Sequence, residues 1–151
     1  MVDRFERFSF ALSEIFRYWH KIASDEMEKY GLKGTHATYL TTMYRYADGV
    51  TATQLCELCG KDKSDVSRMI SIMEKKGLVK KEGTNQNLYR ASLKLTDNGK
   101  EIAEHVCERA RIAVEAAGKG ISDEHRAIFY NVLERITSNL QTISKEGLPP
   151  Q

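Results

Sequence analysis

A chain of 151 residues suffices for one domain with a real core, so residues 1–151 are read as a single domain. With 29% charged and 41% hydrophobic residues, the composition excludes a disordered polypeptide, and no apolar run approaches the roughly 18 residues that a membrane span needs. The start, Met1-Val2-Asp3-Arg4-Phe5, lacks a basic-then-apolar leader, so a cytoplasmic protein with no membrane partner is expected.

The net charge of +2 conceals an asymmetry. Between Gly60 and Leu95 stand nine basic residues (Lys61, Lys63, Arg68, Lys75, Lys76, Lys80, Lys81, Arg90, Lys94) against four acidic ones (Asp62, Asp65, Glu74, Glu82), and the rest of the chain is net acidic. Such a local excess suits a surface facing a polyanion, although a solvated charged face produces the same run.

In chain order, Phe5, Phe8, Leu12, Ile15, Phe16, Trp19, Ile22, Ala23 and Met27 recur every three or four residues, which predicts a long amphipathic helix over about 3–30, closed near Gly31. Thr35 is expected to cap a second helix carrying Tyr39, Leu40, Met43 and Tyr44 and ending near Asp48-Gly49. Thr51 and Gln54 have capping-box spacing and open a short helix with Leu55, Leu58 and Cys59 inward. Gly60 breaks it, and Asp62 caps a further helix whose Val66, Met69, Ile70 and Met73 point inward, up to Gly77. Two short helices joined by a glycine-containing turn make a helix-turn-helix.

After Gly77 the period changes to that of strands. Residues 78–81 and 89–95 read as a hairpin with Gly83-Thr84-Asn85-Gln86-Asn87 at its tip. Thr96 caps a long helix through about Ala117, with Ile102, Ala103, Val106, Ala110, Ala113 and Val114 on one side; Gly118 and Gly120 close it. Ser122 caps the last helix, bearing Ile128, Phe129, Val132, Leu133, Ile136, Leu140 and Ile143. The fold class is therefore mainly α with a small β-hairpin wing: a winged helix-turn-helix at about 35–95 flanked by long helices at about 3–30 and 96–145.

In a helix-turn-helix the second helix enters the major groove, where short hydrogen-bonding groups and basic groups are needed. The outward face of the 62–76 helix offers Lys63, Ser64, Ser67, Arg68, Ser71 and Lys75, with Asp65 in its first turn. Arg68 is the first candidate for reading a base, because a guanidinium can bond both guanine acceptors, and Ser64 and Ser67 can bond base edges or phosphate. All of them also suit an ordinary polar surface. On the hairpin, Lys80, Lys81, Asn85 and Arg90 are candidates for backbone contacts.

Cys56 and Cys59 form a single C-x-x-C without the second ligand pair of a zinc site. With Cys107 they make an odd set of thiols, read as reduced and structural, with a redox role for any of the three left open. No metal or cofactor is expected. Glycine-rich phosphate loops, H-E-x-x-H and G-x-S-x-G are absent from the sequence, so no catalytic residue is assigned and the chain is not read as an enzyme.

The runs Asp62-Lys63-Ser64-Asp65-Val66-Ser67-Arg68, Glu74-Lys75-Lys76-Gly77-Leu78-Val79 and Leu95-Thr96-Asp97-Asn98-Gly99 resemble the signature of the multiple-antibiotic-resistance-regulator (MarR) family. The resemblance implies a homodimer built from the first and last two helices, and paired winged domains on a pseudo-palindromic operator in double-stranded DNA. It further implies a regulator, a repressor by expectation, that lets go of DNA when a small aromatic or lipophilic effector enters a cleft. Trp19, His20, His36 and Tyr39 are the candidates for that cleft, and core packing accounts for them equally. Two departures stand out: Gln86-Asn87-Leu88-Tyr89 occupies the wing tip where relatives carry acidic-basic-basic residues, and Ile72 stands where relatives often carry a basic residue. A winged-helix module that binds protein rather than DNA is the alternative reading, since the fold alone does not settle its use.

Overall fold

Asp3 and Glu6 bond each other's backbone N–H groups in a reciprocal capping box, which starts α1 (Arg4–Glu28). The computed structural model describes residues 3–83 and 91–150, and its contacts divide them into two compact units, 1–111 and 112–151. In the first unit α1 is followed by α2 (Thr35–Arg45), α3 (Ala52–Cys59), α4 (Lys63–Lys75), β1 (Val79–Glu82), β2 (Ser92–Leu95) and the greater part of α5 (Asp97–Ala117). The second unit holds the end of α5 and α6 (Asp123–Glu146). The described residues match a winged helix-turn-helix: a mainly helical chain with one antiparallel hairpin in which Val79 pairs with Leu95 and Glu82 with Ser92.

The core of the first unit gathers one residue stripe from each element. Met27, Leu40, Leu55, Val66, Met73, Leu93 and Ala103 are all fully or almost fully buried in one cluster. Of α1, only Met27 at its end is buried; Phe5, Phe10, Ile15, Phe16 and Ile22 remain exposed. Ser122 caps α6 by accepting the His125 N–H, and Arg126 donates to Glu115 at 2.7 Å and to the Gly118 carbonyl at 3.0 Å within the second unit. No residue of α6 is buried.

Several local expectations change. Thr35 does not cap α2: it lies inside the helix, and Gly34 stands at the cap position without a side-chain bond. The reason is packing, since a Cβ at Gly34 would overlap Ser24 of α1. Leu58 is exposed rather than inward, because Leu55 and Ala52 already supply the buried side of α3. Leu78 belongs to the end of α4, its N–H donating to the Met73 carbonyl, so β1 starts one residue later than expected. Val50 adds an unforeseen bridge to the wing through two bonds with Leu93 at 2.8 and 3.1 Å. The hairpin tip, including Asn85 and Arg90, lies outside the described residues.

Two backbone segments approach closely at the start of α5. Thr96 donates its hydroxyl to the Gly77 carbonyl at 2.6 Å and accepts the Gly99 N–H at 3.1 Å, and a Cβ on Gly99 would overlap the Leu78 carbonyl. Alanine in place of glycine raises helix propensity by about 1 kcal/mol, whereas overpacking against a backbone that cannot swing aside costs about 1–3 kcal/mol. Gly99→Ala is therefore expected to destabilise the protein, with a fall of several degrees in the thermal midpoint by calorimetry; an unchanged or raised midpoint would contradict this packing.

Candidate nucleic-acid interface

The helix-turn-helix is built from two caps and one glycine. Thr51 accepts the Gln54 N–H while Gln54 accepts the Thr51 N–H, the capping box that the sequence predicts. Gly60 closes α3 at φ +62°, in the left-handed region where glycine alone is unstrained. Asp62 then accepts the Asp65 N–H at 2.8 Å and starts α4. Because Val66, Met69, Ile70 and Met73 are buried, the opposite side of α4 is turned outward.

On that outward side Lys63, Ser64, Arg68, Ser71 and Lys75 are exposed, as expected, and Ser67 is half-buried at its margin. The Arg68 side chain is 74% exposed and lies 3.5 Å from the Asp65 carboxylate, one turn earlier. An ion pair this exposed contributes little to stability but orients the guanidinium along the helix face. Lys75 has no ion-pair partner among the described residues.

The wing lysines are differently placed. Lys80 faces Lys94 across the hairpin, and Glu82 bridges them, at 3.4 Å to Lys80 and 2.8 Å to Lys94. The two ammonium groups, Lys94 foremost, hold the Glu82 carboxyl below its ordinary range. Lys81 reaches back to Glu74 of α4 at 3.2 Å, tying the wing to that helix. Sequence reasoning listed Glu74, Glu82 and Lys94 among the charges of this stretch but could not pair them with Lys80 and Lys81, because cross-strand neighbours are visible only once the register is known.

The four cleft candidates do not share one site. An open cleft of about 420 Å³ is lined by His20, Ser24, Glu28, Leu32, Lys33, Gly34 and Thr35, so His20 faces it while Trp19 is not among its walls. His36 is 5% exposed and accepts the Lys33 N–H at Nδ1, 3.0 Å away. Burial, and then the Lys33 and Lys76 cations, push its pKa down, so the ring is neutral. Tyr39 is 2% exposed, in the core, and burial pushes its phenol up, with Asp65 and the Cys59 and Cys56 thiols nearby contributing. Cys56, Cys59 and Cys107 are half-buried free thiols, the last two raised by burial. Among the described residues no cluster of three metal-ligating side chains occurs.

Residues 30–86 match the model of the MarR family. The uncharacterized HTH-type transcriptional regulator YdgJ of Bacillus subtilis (strain 168) is 25% identical over 113 residues, 75% of this chain and 68% of that protein. A MarR transcriptional regulator from Methanosarcina mazei Go1 superposes with a TM-score of 0.82 at 23% identity, covering 95% of this chain and 94% of that one. A MarR family transcriptional regulator from Listeria monocytogenes, complexed with 26mer DNA, superposes with a TM-score of 0.78 at 21% identity over 100% of this chain and 99% of that one. These structural likenesses concern the fold.

The neutral, buried His36 makes stability depend on pH. Its pKa is lower folded than unfolded, so the unfolded chain takes up the proton first: the contribution is complete above the ordinary value of 6.5 and declines as pH falls below it. The urea midpoint should drop between pH 7.5 and 5.5, and His36→Asn, which keeps an acceptor without the titration, should flatten that slope; equal slopes for both proteins would refute the assignment.

Proposed function

We propose that the chain is a member of the MarR family, whose model matches residues 30–86, and that it is a sequence-specific transcriptional regulator that binds double-stranded DNA as a homodimer. The observation that carries this reading is the outward face of α4, a 13-residue helix with Arg68, Ser64 and Ser71 exposed over a buried apolar side. Its N-terminal half presents Ser64 and Arg68 to base edges, with Arg68 suited to guanine, while Lys63 and Lys75 meet phosphates. Asp65 orients Arg68 beforehand. Lys80 and Lys81 remain exposed enough to exchange their weak internal pairs for phosphate, and Asn85 and Arg90, outside the described residues, are proposed as further contacts. The Listeria monocytogenes regulator of the same fold, complexed with 26mer DNA, supports DNA as the partner.

The homodimer reading rests on the apolar side chains left uncovered. Phe5, Phe10, Ile15 and Phe16 on α1, and Ile128, Phe129 and Val132 on α6, are each at least half exposed. Covering the exposed half or more of each such side chain gains about 1–2 kcal/mol, so a second copy covering them is favoured. A two-fold dimer presents two α4 helices to a pseudo-palindromic operator. As a repressor it would block transcription until a small aromatic or lipophilic effector occupies the cleft beside His20. The action is binding, with no catalytic step.

Binding to the intergenic DNA upstream of its own gene should exceed binding to random duplex and weaken steeply as salt rises. Arg68→Ala is expected to lower affinity for the preferred DNA about tenfold to a hundredfold while affecting random duplex far less, as measured by fluorescence anisotropy. No preference in the unaltered protein at moderate salt would overturn the reading. Light scattering behind gel filtration should give twice the chain mass; a single-chain mass would remove the dimer.

A further inference from the structure

Among the five apolar residues of α4, Val66, Met69, Ile70 and Met73 are buried, while Ile72 is 39% exposed. A lone exposed isoleucine on a protein surface is ordinary. What distinguishes Ile72 is its place. At 3.6 residues per turn it stands about 40° around the helix from Arg68, one turn further on, and nearly opposite the buried Ile70. Lys75 and Lys76, both exposed, flank it. A branched hydrocarbon therefore sits within the polar strip assigned to DNA, where it can neither donate nor accept a hydrogen bond.

The major groove offers one apolar group to such a side chain, the C5-methyl of thymine. We propose that Ile72 is a specificity-determining residue that reads a thymine methyl in each half of the operator. This rests on the DNA-binding reading above. Ile72 lies about 6 Å along the helix from Arg68, and base pairs rise about 3.4 Å each, so the thymine falls one to two base-pair steps from the guanine that Arg68 reads. Lys75, one turn beyond Ile72, keeps that end of the helix against phosphate. A polar base edge placed opposite Ile72 would lose its water without gaining a partner, so the residue discriminates by exclusion as well as by contact.

The test uses the full-length protein and the duplex it selects from a random-sequence pool. Each thymine of a half-site is replaced singly by deoxyuridine, which lacks only the methyl group. At one position per half-site, one to two steps from the guanine sensitive to Arg68→Ala, deoxyuridine should weaken the unaltered protein about threefold to fivefold, as expected for about one apolar carbon removed from contact. Ile72→Ala should bind the thymine and deoxyuridine duplexes equally, and 5-methylcytosine should be tolerated better than cytosine there by the unaltered protein alone. Ile72 is not part of the core cluster, so the variant's melting should change little and its mass by light scattering should be unchanged. If no thymine distinguishes the two proteins, or if Ile72→Ala weakens every duplex alike, the proposal is overturned. A change in oligomeric mass would assign Ile72 to a protein contact and overturn it as well. Absence of any selected sequence would instead sink the DNA-regulator reading, and this inference with it, whereas a selected operator indifferent to deoxyuridine sinks this inference alone.

Discussion

The arrangement of the winged unit depends on one crowded junction, where the backbone at Gly77 and Leu78 meets the start of α5. Thr96 donates to the Gly77 carbonyl and accepts the Gly99 N–H, its own N–H reaches the Leu78 carbonyl at 3.0 Å, and glycine at 99 lets the chains approach. The same few atoms therefore end α4, begin the wing and start α5. Since the Leu78 N–H also returns to Met73, the last turn of α4 cannot rotate without disturbing both. The outward direction of Arg68 and Ile72 is set from this end, and from the other by the Asp62 cap.

A second constraint ties the wing back. Val50 exchanges two backbone bonds with Leu93 and is followed at once by Thr51, the cap of α3. The hairpin is thus held to the entry of the helix-turn-helix and, through Lys81 and Glu74, to the body of α4. Positive charge on this surface is not simply displayed. Glu82 separates Lys80 from Lys94, Glu74 holds Lys81, and Asp65 holds Arg68, so like charges that would repel are spaced by acids. Exposed pairs of this kind are weak enough for a polyanion to exchange them.

Charge and apolarity are segregated along the chain. The winged unit completes its own core with Tyr39, Leu55, Met73 and Leu93, whereas α1 beyond Met27 and all of α6 contribute no buried residue. Periodicity in those helices therefore marks a surface with something still to cover, which a stripe in the sequence cannot distinguish from a core-facing one.

Helix existence, both capping signals of the helix-turn-helix and the inward set of α4 were legible in the residues, because caps, glycine breaks and 3.6-residue periodicity act over a few neighbours. The outward face of α4 followed from them. What local rules could not supply was decided by contacts between distant segments. Gly34 and not Thr35 opens α2, since α1 leaves no room for a side chain there. Val50 joins β2 across more than forty residues of chain, and Lys80 meets Lys94 only because the hairpin register aligns them. His20 alone of the four cleft candidates reaches the cleft wall, while His36 and Tyr39 turn into the core. The sequence by itself determined which segments are helical and which face of α4 points away from its support, because those depend on periodicity; the tertiary structure decided which aromatic, basic and acidic groups meet, because that depends on how segments far apart in the chain pack against one another.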